Sequence, residues 1–214
     1  GRLADFFGCD TNAAAKILDA YNAAGEVAPM LIRRFGITEG NRQTLSLGMT
    51  LDQLVNPMKY GAITELWESQ APPGERLDEY VRKELNKEPH VGETPKQVAE
   101  NCMATSDRAD TSLRRAVDSV SQHNEEFLRL VNDVTCIRWL ASFYLCKAYA
   151  AEDDLNYQTT KDKKYLEYAS TTLDHSLRRF HTLIEKTTNT YHFANSMQTS
   201  HRKIPFPGAV DGVG

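Results

Sequence analysis

His175 and His181, with Asp174 and Glu185 close by in sequence, are the residues whose types first suggest a metal site. Ligands that share a helix face stand three or four apart, and a spacing of six turns two imidazoles to different sides. The pair therefore reads as solvent-facing or edge-packed histidines. Glu152-Asp153-Asp154 gathers carboxylates of the kind used for calcium binding or acid–base work. A calcium loop needs ligands alternating through an irregular segment with a glycine at its turn. Three consecutive acids on a helix point three ways, so the expectation is a solvated face opposite Lys161, Lys163 and Lys164. Cys9, Cys102, Cys136 and Cys146 form no Cys-x-x-Cys pair and have no histidine at a zinc-finger offset, so they read as small apolar side chains. Cys136 and Cys146 lie about 15 Å apart along one helix and cannot bond to each other. The chain carries no glycine-rich phosphate loop, nucleophile elbow, dinucleotide fingerprint or zinc-protease helix. No catalytic residue, metal ligand or cofactor is nominated.

Two stretches have the composition of binding surfaces. The segment from Tyr191 to Pro205 has no acidic residue and mixes aromatics, amides and bases, which suits sugars, phosphates or a partner surface. His192, Asn195, Gln198, His201, Arg202 and Lys203 are its candidate ligands. Arg33, Arg34 and Arg42, with the loop around them, form a second polar-basic candidate. The competing reading of the tail is a segment that packs across the fold and ends it.

These residues must be positioned by helices. The chain has 214 residues, 41% hydrophobic and 25% charged, enough to bury a core without staples. Its formal net charge of -4 offers no general field for a phosphate backbone, so no nucleic-acid partner is expected. No run approaches the length of a membrane span, even between Trp139 and Ala151. The chain opens Gly-Arg-Leu with no basic start followed by an apolar run, so no signal peptide is read and the chain is taken as a domain cut from a larger protein.

In the first half, Asp10 or Thr11 caps a helix over 13–24 with Ala14, Ile17, Leu18 and Tyr21 on one face, closed by Gly25. A second short helix over 27–35 has Pro29 in its first turn, giving a hairpin. Residues 36–49 read as a loop, Thr50 and Gln53 open a short helix, and 58–69 and 76–87 are helical, the last with Leu77, Tyr80, Val81 and Leu85 inward. In the second half, Thr94-Pro95 starts a long helix with Val98, Cys102, Thr105, Ala109, Leu113, Ala116 and Val120 on one side. The next, 124–156, places Phe127, Leu130, Val134, Ile137, Ala141, Tyr144, Ala148, Ala151 and Leu155 on strict heptad positions. The last, 163–187, directs Leu166, Ala169, Leu173, Leu177, Phe180 and Ile184 inward. The expected fold is all-α: an antiparallel bundle of three long helices over 91–190, preceded by a subdomain of shorter helices over 1–90 and followed by an irregular tail over 191–214.

The opening Ala4-Asp5-Phe6-Phe7-Gly8, the Ala-rich helix from Asn12 to Ala24 and Val27-Ala28-Pro29-Met30 resemble segments that follow the catalytic barrel in large polysaccharide-degrading glycoside hydrolases, of the α-glucuronidase-like type. Asn195-Ser196-Met197-Gln198 and Pro205-Phe206-Pro207-Gly208 resemble the ends of helical modules in secreted gut-bacterial proteins. The resemblance implies a helical C-terminal or accessory region, a periplasmic or secreted location, and two partners: a catalytic domain of the same parent chain, and a glycan. It assigns no catalytic residue, because nothing in this chain fixes the pair of carboxylates that flanks a scissile glycosidic bond. The functional expectation is a non-catalytic accessory module of a carbohydrate-processing protein. The alternatives are an interaction domain that receives a peptide or partner helix in a groove, and an uncharacterised hydrolase.

Overall fold

The computed structural model describes residues 1–35, 50–56, 73–188 and 190. Helix α1 (Arg2–Phe7) ends at Gly8, whose left-handed φ of 59° suits glycine. Helix α2 (Thr11–Phe35) starts where Asp10 Oδ1 accepts the Ala13 N–H at 2.7 Å. Short helices α3 (Leu51–Val55) and α4 (Leu77–Asn86) follow. Helix α5 (Pro95–Arg114) is capped by Thr94 Oγ1, which accepts the Gln97 N–H at 3.2 Å. After a 3-10 turn at Val117–Ser119 come α6 (Asn124–Thr160) and α7 (Lys164–Thr188). Among the described residues there is no strand, only an isolated bridge between Gly74 and Glu93.

The three long helices α5, α6 and α7 run antiparallel in succession. Lys96 meets Glu152 and Asp107 meets Arg138, while Ser176 Oγ donates to the Phe143 carbonyl across the next pair. Eight of the nine heptad residues of α6 are buried, Ile137 being half-buried. That seam is covered by α5, α2, α3 and α4, whereas α7 lies along another side of α6. Trp139, Leu140, Phe143 and Leu145, off the seam, are accordingly half-buried.

Helix α2 departs from the expected hairpin. It runs unbroken through Gly25 and Pro29 for 25 residues. A proline inside a helix costs about 3 kcal/mol and a glycine about 1 kcal/mol. The buried stripe Ala13, Ile17, Ala20, Ala24, Val27 and Leu31 passes straight across both breakers and packs on α5. Burying Val27 and Leu31 alone returns about 3–6 kcal/mol, which offsets the breakers. The stripe also corrects the face: Leu18 and Tyr21 are 53% and 48% exposed, and the small residues on the other side allow close approach to α5.

The inward face of α7 is corrected too. Leu166, Leu177 and Ile184 are exposed, and of the six residues assigned to the core only Ala169 is fully buried. Among the described elements, α6 is the one neighbour with extensive contact to α7, so a stripe wide enough for two neighbours is half used. In α4, Leu85 is partly exposed and Lys83 takes the buried position. The expected loop over 36–49, the expected helix over 58–69 and the tail after Asn189 lie outside the described residues, Thr190 excepted. No described helix is long and apolar enough to cross a membrane.

Candidate functional site

Most residues nominated from sequence fall outside the described region: His192, Asn195, Gln198, His201, Arg202, Lys203 and Arg42. Arg33 stands in the last turn of α2. Arg34, beside it, is 1% exposed, and its guanidinium faces Glu93, with Nε and Nη2 at 3.3 and 3.2 Å from Oε2. A Cβ on Gly74 would collide with that guanidinium, so only glycine fits where this stretch of chain crosses Arg34.

Arg34 anchors one end of a polar clasp. Gly74 and Glu93 are bridged, the Glu75 N–H donating to the Glu93 carbonyl at 2.8 Å and the Glu93 N–H to the Pro73 carbonyl at 3.0 Å. The Glu75 side chain then turns inward, where it is almost fully buried. Its Oε1 accepts from Lys83 Nζ and from the Val91 N–H, both at 2.7 Å, and its Oε2 faces His90 Nδ1 at 2.7 Å. The other nitrogen of His90 reaches Glu84 at 2.7 Å, and its ring stacks on Tyr80 with centroids 4.8 Å apart. Burial pushes the Glu75 carboxyl up, but the hydrogen bonds from Lys83, His90 and the Val91 amide together bring it below the usual carboxylate value. Glu84 and Glu75 hold His90 above the usual histidine value, and Glu75 and Glu79 do the same for Lys83. A carboxylate that accepts three such contacts is a weak base and a poor nucleophile, so this cluster's chemistry is to tie chain segments together.

A second cluster joins α5 to α6. Lys96 Nζ lies 3.5 Å from Glu152 and 5.2 Å from the Tyr149 ring centre, and the Tyr149 hydroxyl donates to Glu100. Burial raises the Glu152 carboxyl, with Lys96 partly opposing it. Burial and the surrounding carboxylates, Glu152 first, push Tyr80 up to about 12. Glu152 therefore faces Lys96 rather than the expected lysines at the start of α7, and Lys164 pairs with Asp162 instead. Asp154 accepts from Gln158 one turn on.

Between α6 and α7 lies a third set. Lys147 is buried, its Nζ 4.7 and 4.4 Å from the Phe143 and Tyr144 ring centres, and desolvation brings its ammonium down to about 8. Trp139, half-buried on the outer side of α6, has the Arg179 and Arg138 guanidiniums at 5.2 and 5.9 Å from its ring. The available signal was that Trp139 is a large aromatic off the heptad seam; Arg179 carries no such mark in sequence. Among the described residues no group of three or more histidines, cysteines, aspartates and glutamates is arranged to hold a metal.

No known family model matches the sequence, and no curated protein does. A solved structure does match: a GH138 enzyme targeting pectin rhamnogalacturonan II is 44% identical over 95% of this chain, with a TM-score of 0.84. The chain spans 24% of that protein's length. The match supports the expected tie to glycoside hydrolases and does not extend to the α-glucuronidase-like type. The chain is thus a helical protein related, in sequence and in shape, to one quarter of a glycoside hydrolase.

Proposed function

We propose that this chain is a non-catalytic helical accessory module of a glycoside-hydrolase-like protein, supporting a catalytic domain of the same parent or contacting its glycan. The observation that carries the reading is the 44% identity to a GH138 enzyme, over a stretch that is 24% of that enzyme's length, by a chain whose described residues are mostly helical. The state of the carboxylates adds to it. Glu75 accepts from three donors, Glu93 pairs with Arg34 and Glu152 with Lys96. Glycoside hydrolysis needs one carboxyl free to protonate the leaving oxygen and a second free to attack or activate water. On this reading the parent acts on a pectic polysaccharide, as the relative does, and works outside the cytoplasm.

The test is direct. The purified chain, incubated with rhamnogalacturonan II oligosaccharides, is expected to release no reducing ends above a buffer control. Release that disappears in a Glu152→Gln variant of unchanged melting temperature would overturn the reading and make the chain a hydrolase.

A further inference from the structure

We propose that the outer face of α7 is a self-association surface, on which a second copy of this chain lays its own α7 antiparallel to the first.

Leu166, Leu173, Leu177 and Ile184 fall within roughly 40° of one another around α7. Their stripe stands roughly 70° round the helix from the buried Ala169 and Ser176, the second of which is bonded to α6. Leu166, Leu177 and Ile184 are exposed and Leu173 is half-buried, so the stripe faces solvent along most of the helix. Large apolar residues gathered in one line on a surface mark a contact rather than chance exposure.

Symmetry and charge name the occupant. The four residues stand nine and two positions to either side of residue 175, so the stripe reads the same in both directions. A two-fold axis there sets Leu166 on Ile184 of the second copy and Leu173 on Leu177 of the second copy, with the small Ser170 opposite the large Phe180. An unrelated partner requires no such reversal. One edge of the stripe carries Asp174, Arg178 and Glu185, with Lys163 just before the helix. All four are exposed, and among the described residues no ion pair engages them. In a two-fold antiparallel pair this edge meets its own copy. Asp174 then comes within two residues' rise, about 3 Å along the axis, of Arg178 of the second copy, and the contact is made twice. Glu185 meets Lys163 of the second copy at the same offset. The like-charge approach at this edge is Glu167 to Glu185, with His181 beside it. The pairing does not depend on the accessory-module reading.

Sedimentation velocity of the chain between about 1 and about 200 µM is expected to show a reversible monomer–dimer equilibrium, with a dissociation constant of roughly micromolar order for a contact of one helix per side. Amides of α7 are expected to exchange more slowly as the concentration passes through that range. Leu177→Glu, at an exposed position, is expected to keep the melting temperature of the dilute protein and to abolish the dimer. Leu128→Glu, at an exposed apolar residue of α6, is expected to keep the dimer. Asp174→Arg alone is expected to weaken association by roughly tenfold, and Asp174→Arg combined with Arg178→Asp to regain most of it. The mass of a single chain at every concentration would overturn the pairing. So would a dimer untouched by Leu177→Glu, a dimer lost in Leu128→Glu, or a double variant no tighter than Asp174→Arg alone.

Discussion

At the scale of single residues, buried charges among the described residues fasten chain segments together. Glu75 is the centre of this. Replacing it with alanine leaves Lys83 without its nearest buried acceptor and the Val91 N–H without its bond, and is expected to cost about 3 kcal/mol, read as a fall in the urea midpoint with an unchanged slope. His90 makes the clasp sensitive to pH in a known direction. Its folded pKa lies above the ordinary 6.5, so its contribution is fully present below that value and is lost as pH rises through the raised folded value. Glu75 acts oppositely: held below the ordinary 4.5, it contributes above that pH and loses its contribution as acid drives it through the depressed folded value. Lys147 adds a third window. With a folded value of about 8 against an ordinary 10.5, it binds its proton less well folded than unfolded, so its contribution to stability rises as pH climbs from about 8 towards 10.5. Urea midpoints of Lys147→Met over that window are expected to lack this rise; an identical profile in both proteins would show that Lys147 is not desolvated. These residues were poorly legible in sequence. A glutamate two residues after Pro73 or a lysine inside an α6 turn looks like any solvated charge until the fold brings Tyr144 or Val91 against it.

Elements were legible in proportion to how many sides of them are covered. The heptad of α6 is read correctly because neighbours close over its seam, so every apolar position on it has somewhere to go. Helix α2 misleads because its local signals and its tertiary contacts disagree. Gly25 and Pro29 say stop, while the small buried stripe on both sides of them says continue, and packing on α5 decides. A Cβ at position 25 meets nothing within 4 Å. Gly25→Ala is therefore expected to stabilise the protein by about 0.5–1 kcal/mol, seen as a higher melting temperature. A loss of stability instead would mean that the helix passes Pro29 only by a local distortion that needs glycine at the position whose carbonyl the proline ring approaches. Gly74 gives the opposite case. Its missing Cβ is filled by Arg34 and by the Glu93 carbonyl, so Gly74→Ala is expected to destabilise by more than about 2 kcal/mol.

Across the whole molecule, stability should be graded by the same criterion. Helices α2, α5 and α6 share two buried clusters, the first running from Val27 and Leu31 to Ala151 and Leu155, the second from Phe7 and Ile17 to Leu130 and Val134. Opening any one of these helices exposes both partners of many apolar contacts at once. Helix α7 contributes little to either cluster; only Ala169 and Ser176 are fully buried along its length, and its tie to α6 includes the Phe180–Phe143 ring contact and the Ser176 hydrogen bond. Local opening free energies follow buried contact, so α7 is expected to detach as a unit well below the global unfolding free energy. Native-state hydrogen exchange should then show amides from Ala169 to Thr187 exchanging together, earlier than those from Leu130 to Leu155. Phe180→Ala should accelerate the α7 group by roughly tenfold or more while leaving α5 and the α6 seam nearly unchanged, because Phe180 lies outside both clusters. Equal acceleration across all three helices would mean that α7 belongs to the global unit after all, and that its exposed leucines are not the mark of a half-used face.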